Sequence, residues 1–267
     1  MSESGSADRP DLALRRLVER GRAVFPAFEL RHLARTPSTQ DVVRAAARAG
    51  AEPGFCCRAD EQTAGRGRQG RAWSAPAESA LLMSVLLRPR GAVAALPLAA
   101  GLAAVDAIRT SSGVETRLKW PNDVVAGAGK LAGILAEVEP LAPPGPGPAV
   151  ILGVGVNLRV EAFAEGVAGA SLHRLVAPRQ PPSPDGLLAD LLEALGRRVT
   201  QLEHGGAAAI AADWRALAVG LGQQVVAVTP GSTVTGTAID IDDEGALLVG
   251  LEDGTTRRLL AAEVHLV

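Results

Sequence analysis

The sequence has 267 residues, of which 47% are hydrophobic and 21% are charged, as in an ordinary globular protein with a core. Its formal net charge of −2 excludes a global basic field that would attract nucleic acid or an anionic membrane. Residues 1–21 lack the apolar segment of a signal peptide, and the longest apolar stretch, 95–108, is too short to span a bilayer. We therefore expect a cytoplasmic protein with no membrane partner.

Apolar periodicity and turn residues predict alternating helices and strands up to residue 219. The predicted helices span residues 11–22, 42–49, 93–111, 187–204 and 207–218. The predicted strands span residues 28–35, 54–59, 79–87, 114–119, 130–138 and 149–160. A loop rich in Gly and Arg occupies 61–74, and a second loop is predicted at 161–185. Residues 1–219 are thus expected to form one α/β domain.

The pattern changes after Gly220 to short strands, predicted at 224–229, 233–240, 246–251 and 255–260. Their spacing predicts a small β-barrel at 220–267. The two cysteines, Cys56 and Cys57, are adjacent in a predicted strand. Neighbouring strand residues point to opposite faces, so we expect two buried thiols rather than a disulfide.

The most informative segment is the loop Glu61–Arg71, with the sequence EQTAGRGRQGR. Its glycines allow the backbone to approach a ligand closely, and its guanidinium groups can bind anionic oxygens. Hydrogen bonds to charged groups contribute roughly 1.5–3 kcal/mol each, so a few could hold a carboxylate or phosphate. A solvated linker or a nucleic-acid-binding loop is the alternative interpretation. The position between two apolar strands favours a loop that covers a ligand site.

Two further segments place a lysine beside a turn or a strand. In KWPND, residues 119–123, the last three residues are ordinary turn residues, but the turn does not require Lys119 or Trp120. In GKLAGILAE, residues 129–137, Lys130 opens an apolar strand and is flanked by glycines that leave room for a ligand. The spacing there does not fit a P-loop. A solvated edge lysine is the common alternative.

The last two segments have structural interpretations as well. GVGVN, residues 153–157, lacks the third glycine of a dinucleotide-binding motif, and glycines within a strand indicate close approach by a ligand or another backbone. STQD, residues 38–41, predicts a helix N-cap with a capping box formed by Ser38 and Asp41. A ligand role is compatible with that cap, because helix N-termini favour anions.

Together the five segments, in the same order along the chain, resemble the biotin protein ligase family over about residues 36–160. The C-terminal barrel is also similar to that family's. The resemblance implies an α+β fold, with a mixed-sheet catalytic domain and a small SH3-like barrel. It also implies an enzyme that forms biotinyl-5'-AMP from biotin and ATP and transfers biotin to a lysine of a biotin carboxyl carrier domain.

The resemblance assigns roles to individual residues. The implied biotin-binding positions are Ser38, Thr39, Gln40, Gln62, Gly65, Arg66, Gly67, Arg68, Lys130 and Gly133. The implied adenylate-binding positions are Arg68, Arg71, Trp73, Lys119, Asn122 and Asn157. The implied catalytic group comprises Lys130, Arg66, Arg68 and Asp123, with Asp123 as the candidate base for the incoming amine. Mg²⁺ is implied by the ATP chemistry, but its ligands are not identified.

The sequence leaves other matters as expectations. Only 37 residues precede Ser38, so we expect no DNA-binding repressor activity. The oligomeric state is expected to be a monomer or a homodimer. A lipoate or octanoate ligase is the nearest alternative, and a non-enzymatic nucleic-acid-binding protein is a more distant one.

Overall fold

The computed structural model describes residues 9–164, 166–229, 231–260 and 262–266. The helices are α1 (Arg9–Val24), α2 (Thr39–Arg48), α3 (Leu96–Ser112), α4 (Leu172–Val176) and α5 (Pro184–Leu217). The strands of the first sheet are β1 (Glu29–Thr36), β2 (Phe55–Gln62), β3 (Ala80–Leu87), β4 (Arg117–Lys119), β5 (Asp123–Ala126), β6 (Gly129–Val138), β7 (Val150–Asn157) and β8 (Ala218–Val219). Those of the second sheet are β9 (Gln224–Thr229), β10 (Ser232–Ile241), β11 (Leu247–Gly250), β12 (Thr256–Leu259) and β13 (Glu263–Leu266).

The first sheet is mixed, which confirms the predicted fold class. Its strand order is β1-β2-β3-β7-β6-β5-β4-β8, with parallel pairing at β1/β2 and β4/β8 and antiparallel pairing between the others. One core cluster joins one face of the sheet to α1, α3 and α5, and a smaller cluster joins the other face to α2. Helices α1, α3 and α5 cover one face of the sheet, while α2 covers only part of the other face and leaves the rest of it open for a site.

The two cysteines lie on opposite faces of β2, as strand alternation predicts. Cys56 belongs to the larger core cluster and Cys57 to the smaller one, and both thiols are free. Burial raises the pKa of Cys57 to about 11, with the guanidinium of Arg31 acting in the opposite direction. Neutral, buried thiols fit a packing role.

Helix α3 begins with Pro97 in its first turn and ends at Gly113, which has φ of 74° and donates to the carbonyl of Arg109. The segment Val93–Ser112 is long and apolar enough to cross a membrane, but most of it is buried within the fold. The packing of α3 between α5 and the sheet makes it a core helix.

Helix α5 is interrupted at Gly206, where φ is 73°. Its two halves correspond to the two helices predicted at 187–204 and 207–218. The hydroxyl of Ser183 accepts from the amide of Gly186 at 3.1 Å and caps the first half.

The second sheet follows α5 and is antiparallel throughout, in the order β12-β11-β10-β9-β13. It contains one strand more than the four predicted, namely β13 at Glu263–Leu266. Arg215 of α5 pairs with Asp240 at 2.8 Å, and Trp120 donates to the carbonyl of Gly245 at 3.0 Å. These contacts join the second sheet and its β10–β11 turn to α5 and to the turn after β4.

Apart from the two-residue strand β8, two other elements were not predicted. Strand β5 starts at Asp123, inside the segment predicted as a turn, and pairs with both β4 and β6. Helix α4 lies in the predicted loop at 161–185. Both elements are short, and apolar periodicity detects short elements poorly.

Candidate active site

A cleft of about 670 Å³ opens at one face of the first sheet. Its floor is made by β3, β6 and β7, and its walls by the start of α2, the loop after β2, the turn between β4 and β5, and β13 of the second sheet. Every residue that the sequence assigned to the site lines this cleft except Gly65, which is buried beneath the loop within the described part of the chain. Segments distant in sequence thus meet in one place.

The start of α2 supplies buried polar groups. Ser38, Thr39 and Gln40 are each at most 4% exposed, although they lie at a helix end. The amide and hydroxyl of Thr39 both donate to Gln62 Oε1, at 2.7 and 3.0 Å, and the Thr39 hydroxyl lies 2.8 Å from that of Ser84. Ser38 Oγ and Gln40 Oε1 are buried and have no hydrogen-bond partner among the described residues. Two such atoms in one cleft mark it as a binding surface.

The predicted capping box is wrong. Ser38 is the N-cap of α2, but within the described residues its side chain makes no capping hydrogen bond. Asp41 instead pairs with Arg44 at 2.8 Å and with Arg66 of the loop at 2.7 Å. A guanidinium within reach outcompetes a backbone amide for the carboxylate, because charge-assisted hydrogen bonds are the stronger ones. Ser38 is thereby left facing the cleft.

The Gly/Arg loop forms a short hairpin. The amide of Trp73 donates to the carbonyl of Gly65 at 2.9 Å, and that of Gly67 donates to the carbonyl of Arg71 at 2.7 Å. Gln69 and Gly70 form the tip, with φ of 55° and 74°. A side chain at Gly65 would collide with the carbonyl of Trp73 and with Gln62. Glycine at this position therefore lets the two arms of the hairpin lie close together beside Gln62.

The glycines of β6 and β7 accommodate Trp73. A Cβ at Gly155 would lie 2.6 Å from the indole, and one at Gly133 would lie 2.9 Å from it. Lys130 Nζ lies 5.6 Å from the centre of an indole ring. The space predicted beside Gly133 is thus filled by a side chain in this conformation. The indole nitrogen is buried without a hydrogen-bond partner in the described ranges.

The cationic side chains are held close to carboxylates. Lys130 Nζ lies 2.6 Å from Asp123, Arg66 lies 2.7 Å from Asp41, and Arg71 lies 2.8 Å from Glu263 of β13. Burial lowers the pKa of the Arg68 guanidinium, while the nearby carboxylate of Asp123 acts in the opposite direction. These cations are therefore already positioned for an anionic ligand, whose oxygens can replace the carboxylates as their partners.

Asn122 and Asn157 brace the strands at the cleft. Asn122 donates to the carbonyl of Ile134 at 2.8 Å, and Asn157 donates to those of Lys130 and Ala170 at 3.3 and 3.1 Å. Trp120 also lines the cleft, but its buried indole donates to the carbonyl of Gly245, in the turn between β10 and β11. Its position explains why a large aromatic residue precedes the turn.

Sequence reasoning missed three residues at the site. Ser84 is a single hydroxyl in the otherwise apolar strand β3, which was a visible signal. Glu137 lies at the end of the motif that contains Lys130, but its contacts depend on α2. Glu263 reaches the cleft only through the packing of β13. In the described part of the chain, no group of three His, Cys, Asp or Glu residues is placed to hold a metal.

Comparison with known proteins agrees with this geometry. The model of the Biotin/lipoate A/B protein ligase family matches residues 32–157, and that of the Biotin protein ligase C terminal domain matches residues 220–267. A structure of the biotin protein ligase from Aquifex aeolicus, in complex with biotin and ATP, superposes with a TM-score of 0.76. It is 24% identical and covers 90% of this chain and 98% of its own, which establishes the shared fold.

Two curated relatives extend the comparison to sequence. A bifunctional ligase/repressor of Bacillus spizizenii is 31% identical over 234 residues, which cover 86% of this chain and 71% of the relative. A biotin–[acetyl-CoA-carboxylase] ligase of Mycobacterium tuberculosis is 39% identical over 243 residues, which cover 88% of each chain. Since this identity extends through both sheets and both family models match in the expected order, the chain belongs to the biotin protein ligase family.

Proposed function

We propose that this protein is an ATP-dependent ligase that joins biotin to AMP and then transfers biotin to a lysine of an acceptor protein. The observation that carries the proposal is the cleft itself. Buried polar atoms at the start of α2 that lack partners in the described chain line it together with the cations Arg68 and Lys130. Such a cleft suits a ligand with a polar, uncharged head and an acidic tail.

The polar end of the cleft is the proposed biotin subsite. Ser38 Oγ and Gln40 Oε1 are available to the ureido group, while Thr39 and Gln62 are held in place by their mutual hydrogen bonds. Gly65 and Gly67 shape the covering loop, and the backbone of Gly133 lies beside Lys130. Burying a donor or acceptor without a partner costs about 1–3 kcal/mol, so the binding of a matching ligand recovers that penalty.

The first reaction joins two anions. A carboxylate oxygen of biotin attacks the α-phosphorus of ATP, and the bond to pyrophosphate breaks. Lys130, Arg66 and Arg68 would reduce the repulsion between the two anions and stabilise the charge that develops on the phosphate. The residues that would contact the nucleotide are Arg71, Trp73, Lys119, Asn122 and Asn157. For Trp73 this requires that the indole either leaves its position over Gly155 or stays there and stacks against the ligand.

Mg²⁺ is expected to enter with the phosphates of ATP. Among the residues described, no cluster of carboxylate or imidazole groups provides a cage of its own. This agrees with the preference of Mg²⁺ for substrate phosphates, water and only one or two protein carboxylates. Its role is to neutralise phosphate charge.

In the second reaction the lysine amine of the acceptor attacks the carbonyl carbon of the adenylate, and AMP leaves. Asp123 is the proposed base that removes the amine proton. It is ion-paired with Lys130 at 2.6 Å here, so it becomes available once Lys130 turns to the phosphate. The proposed acceptor is a biotin carboxyl carrier domain of an acetyl-CoA carboxylase, the target named for two relatives. We propose a cytoplasmic location and a monomeric or homodimeric state.

Biotin-dependent exchange of pyrophosphate into ATP tests this function. We expect exchange with biotin and none with lipoate or octanoate, because the buried polar atoms at the start of α2 match a ureido head and not a dithiolane ring or an alkyl chain. Exchange supported by lipoate, with none supported by biotin, would reassign the chain to the lipoate branch of its fold family. The match of residues 220–267 to the biotin ligase C-terminal domain favours the first result.

A further inference from the structure

The carboxylate of Glu137, at the end of β6, receives contacts from three residues on two segments, α2 and the covering loop. Gln40 Nε2 donates to Glu137 Oε2 at 3.0 Å, and Arg44 Nη2 donates to the same oxygen at 2.7 Å. Arg66 of the loop lies 3.8 Å from it. We propose that Glu137 is a positioning residue that orients Gln40 toward biotin and anchors the covering loop. This inference rests on the proposed ligase function.

The orientation of the Gln40 amide follows from hydrogen-bond chemistry. An ionised carboxylate only accepts, so Glu137 requires the NH₂ end of the amide on its side. The NH₂ group also lies 3.5 Å from the carbonyl of Ile151, another acceptor. The carbonyl end, Oε1, must therefore point the other way, where a Cβ added at Gly153 on the cleft floor would lie 3.1 Å from it. Glu137 thus fixes the Gln40 amide so that Gln40 Oε1 faces the cleft as an acceptor for an N–H group of the ligand.

The loop is attached to the same carboxylate network. Asp41 accepts from Arg44 at 2.8 Å and from Arg66 at 2.7 Å, and Arg44 also donates to Glu137. Arg44, whose side chain is only 19% exposed, is the centre of the network because it contacts both carboxylates. A change at Glu137 therefore reaches both the ligand acceptor on α2 and the first arginine of the loop.

Glu139 provides a matched control two residues further along. Its carboxylate also pairs with Arg44, at 3.2 Å, and with Arg48, at 3.1 Å, and it is only 2% exposed. Within the described ranges, it has no recorded contact with Gln40 or Arg66. Glu139→Gln removes the same charge from the same arginine and leaves the proposed acceptor untouched.

The test compares Glu137→Gln with Glu139→Gln in biotin-dependent pyrophosphate exchange at saturating ATP. A glutamine at 137 can donate as well as accept, so the Gln40 amide is free to reverse. We expect the KM for biotin to rise about tenfold in Glu137→Gln, as for the loss of one good hydrogen bond, with kcat changed much less. Glu139→Gln should lower the thermal midpoint and leave the KM for biotin within about twofold of the wild type.

A double-mutant cycle separates positioning from general destabilisation. If Glu137 acts through Gln40, then Glu137→Gln added to Gln40→Ala should raise the KM for biotin little further. The inference is overturned if the double variant raises the KM for biotin by the product of the two single effects. It is also overturned if Glu137→Gln and Glu139→Gln change this KM equally. If Glu137→Gln does not fold, Glu137→Asp retains the charge but withdraws the carboxylate by one carbon. It should raise the KM for biotin too, and an unchanged KM counts against the inference.

The wild-type protein distinguishes the two proposals. If it shows no exchange with biotin, the ligase function fails, and the inference fails with it. If the wild type exchanges normally and Glu137→Gln matches it, only the role of Glu137 is wrong.

Discussion

Individual side chains of the cleft are arranged for a ligand that carries negative charge. Lys130, Arg66 and Arg71 each lie within 2.8 Å of a carboxylate. Removing one partner from a buried or half-buried pair leaves a charge that repels a like-charged ligand. In the absence of a ligand these cations are thus paired with carboxylates of the protein, and an anionic ligand can replace those carboxylates.

Lys130→Ala is predicted to reduce biotin-dependent pyrophosphate exchange by about 100-fold or more, as for the loss of one positioned charge at a reacting phosphate. The change also leaves Asp123 unpaired beside two anionic substrates, which adds repulsion. Arg117→Ala is the control, because Arg117 lies outside the cleft and contacts the carbonyl of Ala216. It should retain wild-type exchange. Unchanged exchange in Lys130→Ala would refute the proposed role of this lysine.

The sequence predicted the position of the site more completely than its internal contacts. Five motifs identified the segments that meet in the cleft, because glycines, lysines and turn residues are local signals. The pairing of Asp41 with Arg66 instead of the Ser38 cap depends on a loop 25 residues away, and no local pattern contains that distance. The filling of the space beside Gly133 by Trp73 is likewise a tertiary contact.

Among the larger elements, the hairpin at residues 65–73 carries most of the cationic groups above the floor. Its internal hydrogen bonds are few, and besides the packing of Trp73 on the floor its closest ion pairs with the rest of the protein are Arg66–Asp41 and Arg71–Glu263. Both pairs are partly exposed, and exposed ion pairs contribute little to stability. The hairpin is therefore expected to open readily and to be held closed by a ligand.

Limited trypsin digestion tests this expectation. Without ligands, cleavage after Arg66, Arg68 or Arg71 should be fast, and biotin with ATP should slow it several-fold, because the ordered loop covers the adenylate. Cleavage after Arg90, an exposed residue outside the cleft, provides the internal control and should not change. Equal cleavage of the loop with and without ligands would contradict the prediction.

The ion pairs that join helices to neighbouring elements set the response to acid. A hydrogen bond from Arg48 lowers the pKa of Glu139 below its ordinary value of 4.5, and one from Arg20 lowers that of Glu193 in the same way. Folded-state pKa values below the unfolded values mean that this stabilisation is present above about pH 4.5 and is lost as the pH falls through the folded values.

We therefore predict that the free energy of unfolding falls as the pH is lowered below about 4.5, and that these two carboxylates cause no fall between pH 7 and pH 5. Glu139→Gln should show a shallower fall, because it lacks one of the titrating groups. Urea denaturation at several pH values measures both effects. A slope for Glu139→Gln equal to that of the wild type would show that this carboxylate does not contribute to the acid response.

The whole molecule brings the second sheet to the edge of the cleft. Arg215 of α5 and Trp120 of the turn after β4 contact the second sheet and its β10–β11 turn, and Glu263 of β13 pairs with Arg71 of the hairpin. The predicted boundary at residue 219 stays a prediction, but the contacts show that the second sheet supplies part of the wall of the site. A net charge of −2 for the chain thus coexists with a local cluster of cations.

The most direct test is to mix the purified protein with biotin and MgATP, remove free ligands by gel filtration, denature the protein and identify the released small molecule by mass spectrometry. A cleft that pairs a polar pocket with positioned cations should retain biotinyl-5'-AMP, and Lys130→Ala should retain little. Recovery of unreacted biotin and ATP alone from the wild-type protein would contradict the proposal that the cleft joins these two anions.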